Sequence, residues 1–180
     1  MKCFVCPVCK GGLNDDGKSL RCSLGHCFDK SRFRYVNLLM SSKSSAKRHG
    51  DDRLMVRARR DFLDKGYYKF LCDEICNVCV KYLENDSIVL DAGCGECYYS
   101  SAVITALNDN NITASVYGID ISKDALFVAK KNISACKLTG RVTCMQADAL
   151  GAPSAFLGKF DMIVSNPPYI TTKEMQELPH

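Results

Sequence analysis

The feature that most constrains this chain is the run Val89-Leu90-Asp91-Ala92-Gly93-Cys94-Gly95-Glu96. An apolar strand ends in an acid, two glycines follow one residue apart, and a helical pattern starts directly after them. Glycines in such a turn let the backbone approach a ligand closely and leave helix N-terminal amides facing it. The pattern around this unit repeats its logic. Ile88 to Leu90 reads as a buried strand, followed by a helix through Leu107. Ser115 to Ile119 reads as a second strand, Lys123 to about Cys136 as a helix, Val142 to Met145 as a third strand and Met162 to Val164 as a fourth. That βαβα order predicts an α/β domain, a parallel sheet covered by helices.

The acids then select the ligand. Asp120 closes the second strand 25 residues after Gly95, where a carboxylate accepts hydrogen bonds from both ribose hydroxyls of an adenosine cofactor, with Ile121 beside it. Asp148-Ala149, after the third strand, falls where the adenine edge would lie. Asp91 would repel a pyrophosphate but would hold an amino-acid ammonium, and Cys97 occupies the third glycine position of the dinucleotide pattern. The combination resembles the class I S-adenosylmethionine methyltransferases, with a Rossmann-like domain, and sets a nicotinamide cofactor aside.

Ahead of this domain the composition changes. Cys6-Pro7-Val8-Cys9 and, twelve residues later, Cys22-Ser23-Leu24-Gly25-His26 give C-x2-C-x12-C-x3-H in a short segment with little apolar content. Cys6, Cys9, Cys22 and His26 suit tetrahedral Zn²⁺, and a module this small needs such a staple. Four protein ligands close the coordination sphere, so the zinc is structural. Cys3 and Cys27 are spares. The expected division is a zinc ribbon over 1–35, a basic linker over 36–52, a helical connector over 53–84 and the methyltransferase domain over 85–180. In the connector, Met55, Ala58 and Phe62 share one helical face, with Gly66 as the stop, and Leu71, Ile75, Val78 and Tyr82 share a second.

Charge is unevenly spread. Residues 30–60 hold ten Lys or Arg against two acids, whereas residues 61–180 hold ten against fifteen. A basic segment beside a mildly acidic domain points to a polyanion partner. No apolar run approaches the ~20 residues of a membrane span, and the N-terminus lacks a signal-peptide core, so a cytoplasmic location with reduced cysteines is expected. Two cysteine patterns are decoys. Cys72-x3-Cys76-x2-Cys79 has the spacing of a radical S-adenosylmethionine cluster but lies at helical positions, and the Cys94-x2-Cys97 pair sits inside the cofactor loop.

Two resemblances meet in the chain. The ribbon, Gly25-His26-Cys27-Phe28-Asp29, Tyr35-Val36-Asn37-Leu38-Leu39, Gly50-Asp51-Asp52, the run from Ala58 to Tyr68 and the loop from Asp91 to Tyr99 resemble the bacterial 23S ribosomal RNA guanine-N1 methyltransferases of the RlmA type. That resemblance covers about residues 1–130. It implies zinc on Cys6, Cys9, Cys22 and His26, cofactor contacts from Tyr68, Gly95 and Glu96, and 23S RNA as partner. Cys97 stands where that family has glycine, and its side chain is expected to crowd the methionine end of the cofactor. Residues 158–170, with Asn166-Pro167-Pro168-Tyr169, resemble the release-factor glutamine N5-methyltransferases instead. There the Asn166 side chain and the Pro167 carbonyl accept hydrogen bonds from a planar NH₂ group while Tyr169 stacks on it, with release factor as partner. The switch falls between Gly118 and Lys131. Both families continue past the fourth strand, so the domain is expected to be incomplete, with an exposed sheet edge and inefficient turnover; a non-catalytic fragment that binds RNA or cofactor is the third reading.

Overall fold

The computed structural model describes residues 5–32, 35–39, 52–148 and 160–167. Cys3, Ala149, Tyr169 and most of the basic linker, among the residues singled out above, lie outside them.

The N-terminal strands form an antiparallel meander of β1 (Leu13–Asp15), β2 (Ser19–Cys22) and β3 (Cys27–Asp29). Its first turn is set by Asp16, whose Oδ1 accepts from the Lys18 and Ser19 amides, and by Gly17 at φ 90°. Leu13, Leu20 and Phe28 point to one side and are buried. The next segment differs from expectation. Val36–Asn37 is not linker but a short strand, β4. It pairs in parallel with a strand of the larger sheet, with Val36 opposite Met145 and the Leu38 amide donating to the Gln146 carbonyl at 2.9 Å.

That larger sheet contains β4, β5 (Ser87–Ala92), β6 (Ala114–Asp120), β7 (Val142–Gln146) and β8 (Met162–Val164) in the order β4-β7-β6-β5-β8, all parallel. Parallel strands are buried on both faces, which is why they read as continuous apolar runs rather than alternating ones. On one face Val89, Val116 and Val142 pack under Val103, Ile104 and Leu107 of α3 (Tyr98–Asp109) and Leu126, Ala129 and Ile133 of α4 (Lys123–Ala135). On the other, Leu90, Ile119 and Met145 share one apolar cluster with Val36, Leu38 and the ribbon's Leu13, Leu20, Cys22 and Phe28. Ribbon and sheet are thus continuous through β4.

Two helices precede the sheet, α1 (Arg53–Asp64) and α2 (Lys69–Tyr82). Asp52 caps α1, accepting from the Leu54 and Met55 amides at 2.9 and 3.0 Å. Both apolar faces turn out differently from the periodicity. On α1 the buried residues are Val56 and Leu63, while Met55 and Phe62 are 49% and 41% exposed. On α2 the core side is carried by Cys72 and Cys79, with Ile75 and Cys76 beside them, and Leu71, Val78 and Tyr82 are exposed. The radical-cluster spacing is therefore the buried stripe of a helix. Cys79 Sγ lies 3.4 Å from Met162 Sδ and ties α2 to β8. No helix among the described residues is long and apolar enough to cross a membrane.

Strand order reverses at β5, with β6 and β7 to one side and β8 to the other. Crevices at the carboxyl ends of strands beside such a reversal are where open α/β sheets bind ligands.

Candidate cofactor and metal sites

A cavity of about 700 Å³ opens there. The loop supplies its floor through Gly93, Gly95 and Glu96, the end of β6 one wall through Asp120 and Ile121, and the end of β7 a second through Ala147 and Asp148. Tyr68 and Tyr99 add aromatic surface, and Ser165, Asn166 and Pro167 enter from the end of β8. A further wall is α1, through Met55, Ala58, Arg59 and Phe62. The face that periodicity marked as core is the side of the helix that looks into the cavity. Phe62 meets the Tyr68 ring edge-on at 5.2 Å.

The loop's conformation follows from its residues. Gly93 and Gly95 take φ of 81° and 54°, where a side chain is disfavoured. The Gly93 and Cys94 amides both donate to the Ile119 carbonyl at 2.9 Å, which seats the turn over the end of β6. Gly118 is needed for that seat: a Cβ there would lie 2.9 Å from Cys94 Sγ. Asp120 accepts from the Gly95 amide through Oδ2 and from the Ser122 amide through Oδ1, both at 2.8 Å. A carboxylate offers roughly four lone-pair positions, so Asp120 organises the loop with the same group that was expected to meet a ribose.

Asp91 is buried at the end of β5 and accepts a hydrogen bond from Ser100 Oγ. Burial, reinforced by the nearby charge of Asp120, outweighs that bond and pushes its carboxyl up to about 6. Glu96 is also buried, and burial raises its carboxyl despite the pull of Arg60. Its Oε2 has no hydrogen-bond partner among the described residues and lies 3.8 Å from Arg60 Nε. Arg60 in turn donates to Asn132 Oδ1 at 2.7 Å, and Asn132 Nδ2 to the Glu96 carbonyl at 3.0 Å, so α1, α4 and the loop form one polar network.

Cys97 departs from expectation. It adopts φ 61° without being glycine, yet its side chain does not enter the cavity. Its Sγ turns into the core, 3.6 Å from Cys144 Sγ, so the substitution costs backbone strain rather than ligand space.

The four predicted metal ligands come together in the ribbon. The sulfurs of Cys6, Cys9 and Cys22 and a ring nitrogen of His26 lie within 4.8 Å of one another. The Cys9–Cys22 sulfurs are 3.6 Å apart, and His26 Nδ1 lies 3.6 and 3.2 Å from the sulfurs of Cys6 and Cys22. Thiolates at ~2.3 Å from a tetrahedral ion are about 3.8 Å apart, so the donor set fits zinc in chemistry and scale. Burial pushes the Cys22 thiol up, but hydrogen bonds from His26 and Cys9 outweigh it and bring it down to about 6. Cys27 is exposed and stands apart from this set.

Residues that the sequence reading gave no role include Tyr99, whose hydroxyl accepts a hydrogen bond from Asn166 Nδ2 at 2.9 Å. Ser100, Gly118 and the α1 wall were missed as well. Their only linear signals were a polar residue on a helical turn, a glycine inside a strand and an apolar helix face.

Comparison with known proteins agrees with this geometry. Residues 83–178, more than half of the chain, match the methyltransferase-domain family. Residues 4–47 match the RlmA N-terminal zinc ribbon. A 23S rRNA (guanine(748)-N(1))-methyltransferase of Streptomyces fradiae is 32% identical over 67% of this chain and 41% of its own length. A release factor glutamine methyltransferase of Rhodopirellula baltica is 41% identical over 51% of this chain and 29% of its own length. The chain therefore spans less than half the length of either relative. A solved structure from Methanococcus maripaludis, described as an S-adenosyl-L-methionine-dependent methyltransferase, covers 67% of this chain and 52% of its own with TM-score 0.54 and 20% identity, a likeness of fold. The chain belongs to the methyltransferase-domain family and bears an N-terminal zinc ribbon of the RlmA type.

Proposed function

We propose that the chain carries the cofactor-binding part of an S-adenosylmethionine-dependent methyltransferase that modifies guanine N1 in 23S ribosomal RNA. The observation that carries this reading is the cavity at the strand reversal, bounded by Asp91's loop, Asp120 and Asp148 and walled by the arginine-bearing helix α1. When bound, S-adenosylmethionine supplies a methyl group on a sulfonium. The loop after Asp91 receives the methionine end, with Asp91 buried behind the cavity lining as the acid that draws the ammonium from there, and Asp120 and Ile121 meet the ribose. Asp148, with Ala149 beyond it, meets the adenine edge, while Tyr68, Gly93, Gly95 and Glu96 complete the contact. Positioning of the attacking nitrogen against the methyl supplies much of the rate in such a transfer. Zinc on Cys6, Cys9, Cys22 and His26 holds the ribbon, which with the basic segment grips the RNA from the cytoplasm.

A second reading, methylation of a glutamine amide on a release factor, is favoured by Asn166 and Pro167 at the cavity wall. There the Asn166 side chain and the Pro167 carbonyl orient a planar NH₂ group, with Tyr169 stacking on it. Incubating the chain with tritiated S-adenosylmethionine and, separately, 23S RNA or release factor separates the two. Label in RNA at guanine N1 supports the first and label in release factor the second. Label in neither, with the cofactor still bound, leaves a binding fragment.

A further inference from the structure

Three buried thiols lie beneath the cofactor loop and take no part in holding cofactor or zinc. Gly118 is in register with Cys144 across the β6–β7 pair, and its missing side chain leaves a gap beside that cysteine. The loop fills the gap: Cys94 Sγ and Cys97 Sγ lie 2.9 and 3.3 Å from where a Cβ on Gly118 would stand. Cys97 Sγ is 3.6 Å from Cys144 Sγ. The close pair is therefore not the C-x2-C of the sequence but Cys97 with a residue 47 positions on. All three are free thiols; Cys97 and Cys144 are completely buried, and Cys94, 5% exposed, lines the cavity. Hydrogen bonds from Cys94 and Cys97 hold the Cys144 thiol well below its usual range, and the bonds to Cys144 hold the other two above theirs. One nucleophilic sulfur thus meets two protonated ones.

We propose that Cys97 and Cys144 are a modification site, a reversible disulfide made by a hydroperoxide that enters through the cavity past Cys94. Bonded sulfurs stand about 2.05 Å apart, so the pair must approach by roughly 1.5 Å. The Cys144 sulfur attacks the O–O bond, which breaks to give a sulfenic acid and, from hydrogen peroxide, one water. The Cys97 sulfur then displaces the sulfenic hydroxyl, which leaves with the Cys97 proton as a second water. Two thiols lose two electrons and one peroxide gains them. The bond would act on the cavity through the loop. Cys97 stands at the N-terminus of α3, its amide donating to the Cys94 carbonyl at 2.8 Å. Gly95 and Glu96, between the two cysteines, belong to the cavity floor, and Asp120 holds the Gly95 amide. Drawing Cys97 toward β7 moves that floor, so disulfide and cofactor oppose each other. Such coupling is reciprocal: a ligand that favours the reduced loop also disfavours its oxidation. The coupling rests on the reading of the cavity as an S-adenosylmethionine site; the disulfide does not.

The test treats the zinc-loaded chain with hydrogen peroxide, digests it without reductant and maps the peptides by mass spectrometry. A peptide bearing Cys97 should appear cross-linked to one bearing Cys144, two hydrogens lighter than the separate pair. Dithiothreitol should release it. It should be absent from Cys144→Ala and from Cys97→Gly, a substitution that suits the backbone at φ 61°. No cross-link, a Cys94–Cys97 bridge in its place, or sulfinic acid as the sole product overturns the site. Saturating S-adenosylhomocysteine should suppress the cross-link. The oxidised chain should bind S-adenosylhomocysteine roughly fivefold or more weakly, with recovery in dithiothreitol. In Cys97→Gly peroxide should leave that affinity unchanged, which separates this bond from oxidation of the ribbon. Equal affinity before and after oxidation, or a cross-link indifferent to S-adenosylhomocysteine, overturns the coupling. If the reduced chain binds no S-adenosylhomocysteine, the reading of the cavity fails by itself, and the peptide map still decides whether Cys97 and Cys144 pair.

Discussion

Asp91 shows how a ligand site strains the residue that builds it. Its carboxyl, ordinarily near 3.8, is pushed up to about 6, with burial as the first cause. The folded chain therefore holds this proton more tightly than the unfolded chain does, so ionisation of Asp91 opposes folding. The penalty is absent below about pH 4, grows as pH rises through the window to about 6, and is then constant at up to about 3 kcal/mol. Asp91→Asn keeps an acceptor for Ser100 and removes the charge. It should raise the Tm of the ligand-free protein at pH 7.5 and leave it nearly unchanged at pH 4, as read by thermal unfolding at both. An equal or lower Tm at pH 7.5 contradicts the account. The places of Gly93, Gly95 and Asp120 at the cavity were legible in the sequence because they are local to two strand–turn units, whereas the burial of Asp91 behind the lining was not. Gly118 and Tyr99 were not, since each is explained by a partner far along the chain, Cys94 Sγ for one and Asn166 for the other. Cys97 was legible as an oddity, but the direction of its side chain was not; Cys144, 47 positions on, decides it.

At the scale of elements, the alternation of strands and helices was readable because buried parallel strands and amphipathic helices differ in period. The helices' orientation was less so. On α1, Met55, Ala58 and Phe62 form an apolar face that periodicity cannot tell from a core face, and the structure turns it to the cavity. On α2, cysteine carries the buried stripe, and a count of aliphatic residues alone picks the wrong side. The wall formed by α1 depends on its first turn, where Asp52 satisfies two amides and Arg53 reaches Asp124 at 3.1 Å. Asp52→Ala should lower stability by about 1 kcal/mol, measured by urea unfolding. It should also raise hydrogen exchange at Leu54 and Met55. Unchanged exchange there argues against this cap. The basic residues of α1 divide by contact: Arg57 is exposed, whereas Arg60 is engaged with Asn132 and Glu96. Arg57→Gln should weaken RNA binding and reduce its salt slope by roughly one. A slope equal to that of the parent chain removes α1 from the RNA interface.

Across the whole molecule, the ribbon and the sheet are one structure rather than beads on a linker. β4 extends the sheet beside β7, and the ribbon's apolar residues join the cluster that covers Leu90, Ile119 and Met145. The sequence marked Val36 and Asn37 as linker because two residues carry no period, and strand pairing at that length is a tertiary effect. β7 leads directly to Ala147 and Asp148 at the cavity, and Gln146 Nε2 donates to the Ile121 carbonyl at 3.1 Å. Metal removal by a chelator should therefore raise hydrogen exchange not only in β1 to β3 but also in β4 and at its contact with β7. Protection in β4 and β7 that survives metal removal contradicts this continuity. The central claim, that the cavity at the strand reversal takes S-adenosylmethionine, is tested most directly by calorimetric titration with S-adenosylhomocysteine, with NADH as the control. The account predicts one site per chain for the nucleoside thioether, at least tenfold weaker binding in Asp120→Asn, and no heat with NADH. Absence of binding, equal binding by the variant, or preference for NADH would contradict it.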